Sequence, residues 1–154
     1  MPYRSENNNL FQASVIWLNE KRGMLTSSEV NGNIQVETAA IFGGKGKLWT
    51  PEHLFLGSIS SSFMSTFLQF AEKYKLKIDG LSCRVSGIVE SVNGRPCFTH
   101  IDVYPDIYIE NAEDEKHAQL ALHKTHRQSL VVNSISSAIN YHSSVRFSGD
   151  LQEA

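Results

Sequence analysis

Cys83 and Cys97 are the only thiols in the chain, and they fall on two neighbouring strand-like segments with a hairpin between them. Two thiols placed side by side in this way could cycle between dithiol and disulfide if both were exposed and one had a lowered pKa. Sequence alternation puts both on mainly apolar faces, where a free cysteine is usually a small, inert hydrophobe. His117, His123 and His126 raise the question of a metal. A spacing of three puts His123 and His126 on one helix face, but a zinc site needs further protein ligands, and Glu113 and Glu115 lie about two turns or more away. Solvated helix surface is the expectation there, with no metal and no cofactor. Gly43-Gly44-Lys45-Gly46-Lys47 is either a flexible loop or an anion nest, and it lacks the closing Lys-Ser/Thr of a phosphate-binding loop. Ser129 follows His126 by three residues, and Ser62 lies in an apolar run. A serine hydrolase needs a nucleophile, a positioned base, an orienting acid and oxyanion donors, and no nucleophile-elbow motif is present.

The elements that must position these groups begin with Gln12–Leu18, which is β-branched and aromatic, followed by a turn at Lys21-Arg22-Gly23 and a returning strand over Thr26–Val30. Asn31-Gly32 predicts a tight hairpin into a third strand over Asn33–Ala40. Thr50 as N-cap, Pro51 at the first helical position and Glu52 in the first turn open a long helix through Tyr74. Its apolar residues surround most of its circumference, which predicts a central helix buried by more than one layer. Gly57 and serines at 58, 60, 61, 62 and 65 interrupt it with small side chains. Leu81–Val92, the Asn93-Gly94 turn and Cys97–Val103 predict a second hairpin, with Ile107–Ile109 extending or following it after Pro105. A helix from Ala112, a second helical stretch over Ser129–Tyr141 and a short strand over Ser144–Phe147 complete an α+β chain.

Thr50-Pro51-Glu52-His53-Leu54-Phe55, then Ser60-Ser61-Ser62-Phe63, resembles the Asn-Pro-Glu-x-Leu opening and Cys-Phe step of the OsmC/Ohr hydroperoxide-reductase family. Val85-Ser86-Gly87 and Phe98-Thr99-His100-Ile101 resemble its later strands. Ala118 through His126, then Ser129–Ile135, resembles its closing Cys-x-Val-Ser-Asn segment. The likeness runs in order over about residues 13–147, within one domain spanning 1–154 whose ends, 1–10 and 149–154, are expected to be loosely ordered. It implies a long central buried helix on curved antiparallel sheets and an intertwined homodimer with two sites, each lined by both subunits. In the family, one cysteine attacks an organic hydroperoxide, a second resolves the sulfenic acid as a disulfide, and an arginine and a glutamate hold the thiolate. Glu52 matches that glutamate. The resemblance matches Arg22 to the arginine and implies that it meets Glu52; taken as a residue alone, Arg22 is a solvated turn residue.

Serine occupies both cysteine positions, at Ser62 and Ser129. A hydroxyl has no accessible anion near neutral pH and no sulfenate-like oxidation state, so the peroxide step loses its nucleophile. Taken as residues alone, Ser62 is a packing residue in a buried helix and Ser129 a helix N-cap. Taken with the resemblance, they are the remnant active site, with Phe63 and Met64 lining its cleft, and their hydroxyls should lie within about 10 Å of each other. The expectation is a family member that has lost peroxidase activity and binds a hydrophobic small molecule. The alternatives are a peroxidase acting through relocated Cys83 and Cys97, or a site whose native cysteines have been exchanged.

At 154 residues the chain is long enough to fold without disulfide or metal. Fourteen Lys and Arg against sixteen Asp and Glu, with no basic stripe, leave no electrostatic footprint for nucleic acid. No run approaches the ~18 consecutive apolar residues of a membrane span, no apolar leader follows the polar start, and two cysteines do not make a secreted disulfide framework. A cytoplasmic location is expected.

Overall fold

A computed structural model describes residues 9–152; the outermost residues of both expected loose ends lie outside that range. The chain packs as two compact units, one running through Leu54 and the other from Phe55 onward. In the first unit, β1 (Ser14–Asn19), β2 (Arg22–Thr26) and β3 (Ile34–Glu37) form an antiparallel sheet in sequence order. The first turn is Glu20-Lys21, where Glu20 takes φ 47°, so Arg22 and Gly23 are strand residues and not the expected turn. Gly23 is glycine for a packing reason: a Cβ there would come within 2.8 Å of the Val15 side chain. The returning strand therefore starts earlier than Thr26–Val30, and Asn31-Gly32 lies in a longer loop. A 3₁₀ turn over Ala40–Phe42 follows, and Thr50 then opens the long helix α1 (Pro51–Lys73). The Thr50 hydroxyl accepts the His53 amide at 3.2 Å, as an N-cap should.

In the second unit, β4 (Ile78–Val92) and β5 (Arg95–Ile109) make a long antiparallel hairpin. Its turn is Asn93-Gly94, with φ 51° and 75°, the two positive values that a type I′ turn requires. Ile107–Ile109 belongs to β5 without interruption. Pro105 falls between the stretch of β5 paired with β6 (Ala138–Tyr141) and the stretch paired with β7 (Ser144–Phe147). Both of these strands run parallel to β5, so this sheet is mixed where antiparallel pairing was expected throughout. After a 3₁₀ turn over Ala112–Asp114 come α2 (Glu115–Gln128) and the single-turn α3 (Leu130–Asn133). The helix expected over Ser129–Tyr141 therefore stops at Asn133. Beyond it, Ile139 and Tyr141 alternate inward as a strand and join a core cluster with Ile59, Ile101 and Val103.

Ile59, Phe63, Phe67 and Ala71 recur every four residues on α1 and form its buried stripe. Phe63 and Phe67 pack with Ile107, Ile109, Ala118, Ala121 and Leu122, each large side chain contributing about 1.5–3 kcal/mol by burial. Met64 and Leu68 face outward, 42% and 43% exposed, so a single chain covers one side of this helix and leaves the other bare. By length and composition α1 could also cross a membrane, but its stripe is seated in the core. At the C-terminal end, Ser148–Gln152 forms a 3₁₀ turn.

Candidate functional site

Ser62 lies on α1 and Ser129 at the junction of α2 and α3, and their hydroxyl oxygens are 2.8 Å apart in a hydrogen bond. This is well inside the ~10 Å that family placement requires. Helix serines commonly return their hydroxyls to the preceding turn, and Ser58, Ser60 and Ser61 do so, to Phe55 O, Gly57 O and Gly57 O. Ser62 instead reaches across to another element. Ser129 is 1% exposed. Its amide donates to Thr125 O at 3.1 Å and its carbonyl accepts from the Asn133 amide at 2.9 Å. It occupies the N-cap position of α3, but its side chain makes no cap bond. The Ser129 hydroxyl bonds Ser62 and not the helix N-terminus. Of the two expected lining residues, Phe63 is in the core, stacked on Phe67, and Met64 is exposed.

Two neutral hydroxyls do not make a nucleophile without a base within hydrogen-bond reach. His126, three residues before Ser129, stacks on Tyr141 with ring centroids 3.8 Å apart. Its Nε2 is buried with no hydrogen-bond partner among the described residues. Burial, aided by nearby His123, pushes its pKa below the ordinary histidine value. His126 is thus a neutral ring packed beside an aromatic, not a base engaged with either serine. His123 is exposed, and His117 stands 3.7 Å from Asp114.

The cysteines are not a pair. Cys83 lies opposite Pro105 and Cys97 opposite Glu90. Along β4 that is seven residues, or about 23 Å of strand, where a disulfide needs Cα atoms within about 7 Å. Relocated thiol chemistry between them within one chain is therefore excluded. Cys83 packs against both core clusters, and burial raises its thiol pKa to about 11. Cys97 is exposed, contrary to the apolar face expected for it; the register shift between Ile88 and Val89 breaks the simple alternation along this hairpin.

Arg22 and Glu52 make no ion pair with each other among the described residues. Arg22, the first residue of β2, lies opposite Glu37 in register. Arg22 Nε and Glu52 Oε2 are both buried and without hydrogen-bond partners among the described residues. Sequence reasoning missed Glu37. It is 4% exposed, and its carboxylate accepts the amides of Leu48, at 2.7 Å, and Lys47. The Leu48 amide holds its pKa below the ordinary value against the opposing effect of burial, with the Lys47 amide and the Arg22 charge adding to the lowering. The glycine-rich loop is thus an anion nest filled by the chain's own carboxylate. Gly44 is required there because a Cβ would meet Thr38 O at 1.6 Å. The available signal was an acid ending an alternating strand just before a run of glycines.

A family model described as OsmC-like protein matches residues 44–144, well over half of the chain. A comparison with curated proteins finds no match. Among solved structures, the chain is similar to an OsmC-like protein from Mycoplasma pneumoniae, with TM-score 0.76, 13% identity, and 90% of this chain and 99% of that one covered. It is also similar to an OsmC-like protein from Vibrio cholerae, with TM-score 0.73, 17% identity, and 86% and 97% covered. An organic hydroperoxide resistance protein from Elizabethkingia anophelis superposes with TM-score 0.69, 18% identity, and 91% and 99% covered. At these identities the superpositions establish the fold and leave the activity to the side chains.

Proposed function

Because the chain belongs to the OsmC-like family, we propose that it is a non-peroxidatic member that binds a hydrophobic small molecule at the remnant site marked by Ser62 and Ser129. The observation that carries this reading is the 2.8 Å contact between the two hydroxyls. Two residues far apart in sequence meet, and the resemblance matches both to the family's reacting cysteines, with oxygen then standing in place of sulfur. An arrangement that brings the two positions together without a thiolate retains the shape of a site and lacks its redox step. The neighbours named for organic hydroperoxide resistance suggest the kind of molecule such a cleft accommodates: organic, and largely apolar.

A homodimer with both subunits lining each cleft is part of the proposal. Its support is the bare side of α1, with Met64 and Leu68, together with Val15, Ile16 and Trp17 of β1, which are 60–73% exposed. Apolar surface of this extent normally marks an interface. We place the protein in the cytoplasm, in keeping with two unpaired cysteines. The test pairs two measurements on the purified protein. Dithiol-dependent consumption of cumene hydroperoxide should stay at background, and an environment-sensitive apolar dye should bind and be displaced by apolar competitors. Robust turnover would overturn the non-peroxidatic assignment, and absence of any saturable dye binding would overturn the binding role.

A further inference from the structure

The solvent face of α2 carries one sign of charge. On a helix that turns about 100° per residue, Lys116, Leu120, His123, Lys124 and Arg127 share a stripe about 100° wide. All five are exposed. The opposite face, with Ala118, Ala121, Leu122 and Thr125, is the buried one. From Lys116 to Leu130 the chain has no Asp or Glu. Glu115 lies off the stripe, about 100° round the helix from Lys116, and Asp114 stands 3.7 Å from His117 at the stripe's edge.

Lys116, Lys124 and Arg127 form no ion pair among the described residues. The whole chain has sixteen Asp and Glu against fourteen Lys and Arg, so a face of unpaired cations departs from the protein's general charge. Leu120, 41% exposed, sits among the cations, and Leu130, 71% exposed, adjoins them at the start of α3. Such a face offers two contacts at once, charge for an anionic layer and apolar side chains for the hydrocarbon below it. A bilayer surface supplies both in that order. Nucleic acid would use the charge alone, since this face has no Phe, Tyr or Trp on which a base could stack.

We infer that the solvent face of α2 docks on an anionic lipid bilayer, with Lys116, Lys124 and Arg127 on lipid phosphates and Leu120 and the adjoining Leu130 at the acyl boundary. The attachment is peripheral and involves no span. The stems of the lysines and the arginine can lie along the leucines while their charged heads reach the phosphates. Each cation near such a surface is worth about fivefold in binding, so the three together favour it over a neutral bilayer by about a hundredfold. The inference is independent of the Ser62–Ser129 reading and stands without it.

The test is co-sedimentation of the full chain with vesicles of phosphatidylcholine, alone or with roughly one third phosphatidylglycerol. The mixed vesicles should bind about a hundredfold more tightly than the neutral ones, and the difference should shrink as salt screens the surface. Lys116→Gln with Lys124→Gln and Arg127→Gln should abolish that difference, whereas Lys116→Arg with Lys124→Arg should keep it. Leu120→Gln with Leu130→Gln should weaken binding to the mixed vesicles about tenfold. No binding to mixed vesicles overturns the inference. Equal binding to neutral vesicles does so too, and would assign attachment to the bare side of α1. Mixed-vesicle binding that the triple variant retains is equally fatal. A single-stranded oligonucleotide and polyglutamate are added as competitors. If either displaces the protein and the leucine substitutions change nothing, the face takes anions in general and the lipid assignment falls. If the triple variant does not fold, its three single substitutions decide, each expected to cost about fivefold.

Discussion

Replacing both members of the serine pair, Ser62→Cys with Ser129→Cys, should yield a disulfide under mild oxidation. A bridge requires Cβ atoms about 3.5–4.5 Å apart, an approach close to that of two side chains already touching through hydroxyls at 2.8 Å. The bridged residues are 67 apart in sequence, and closing a loop of that length removes enough unfolded-state entropy to stabilise the oxidised form by about 4 kcal/mol over the reduced. Two sulfurs are bulkier than two oxygens, and Ser129 is 1% exposed. The reduced double variant should therefore be less stable than the parent by about 1–3 kcal/mol, the usual cost of overpacking. Urea unfolding with and without dithiothreitol, in a Cys97→Ser background, separates the two effects. The midpoint should rise on oxidation while the slope falls, because the cross-linked unfolded chain exposes less surface. A folded double variant whose two new thiols stay titratable after oxidised glutathione would refute the apposition of these positions, and with it the proposed remnant site.

Ser129→Ala should cost about 1–2 kcal/mol by denaturant unfolding, because it strands the half-buried Ser62 hydroxyl; a neutral substitution would show that the pair adds no stability. His126 is neutral in the fold because its pKa is depressed, so the unfolded chain takes up a proton first as pH drops. Stability should fall as pH goes below about 6.5 towards the depressed native value, and His126→Phe should flatten that slope. Glu37 works in the same direction lower down. Its carboxylate is held charged in the fold, so its contribution is present above the ordinary value of 4.5 and lost as pH falls through its lowered native value. Glu37→Gln should remove that acid sensitivity and speed amide exchange at Lys47 and Leu48. Cys97 should react with a maleimide within minutes near neutral pH, while Cys83, with a thiol pKa of about 11, should need unfolding; equal rates would contradict the packing of β4. Light scattering should give twice the 17.2 kDa chain mass at micromolar concentration, and a stable monomer would remove the partner proposed to cover α1 and β1.

Local chemistry settled much of this protein in advance. Thr50-Pro51-Glu52 can do little other than start a helix, Asn93-Gly94 little other than a type I′ turn, and the alternation around them sorts strand faces; these are preferences of the chain that operate within a few residues. The family pattern, read in order along the chain, put Ser62 and Ser129 near each other before any distance was known, and their hydroxyls are 2.8 Å apart. Other features depended on contacts that no short window contains. Ile135–Tyr141 has helical apolar spacing, but a free edge on β5 claims Ala138–Tyr141 as a parallel strand, and sheet pairing overrides local periodicity. Arg22 and Gly23 carry turn-like residue types, yet Gly23 is needed for its missing Cβ against Val15, which makes the pair strand residues. Cys83 lies ten residues before the Asn93-Gly94 turn and Cys97 three after it, so the two are seven positions apart in the ladder, because register and not the sharing of a hairpin decides which side chains meet. Glu37 was invisible as a site residue because its role exists only once the loop after it folds back and turns two amides onto its carboxylate. Burial, hydrogen-bond partners and pKa are sums over neighbours from distant parts of the chain, and those neighbours are assembled only by the tertiary fold.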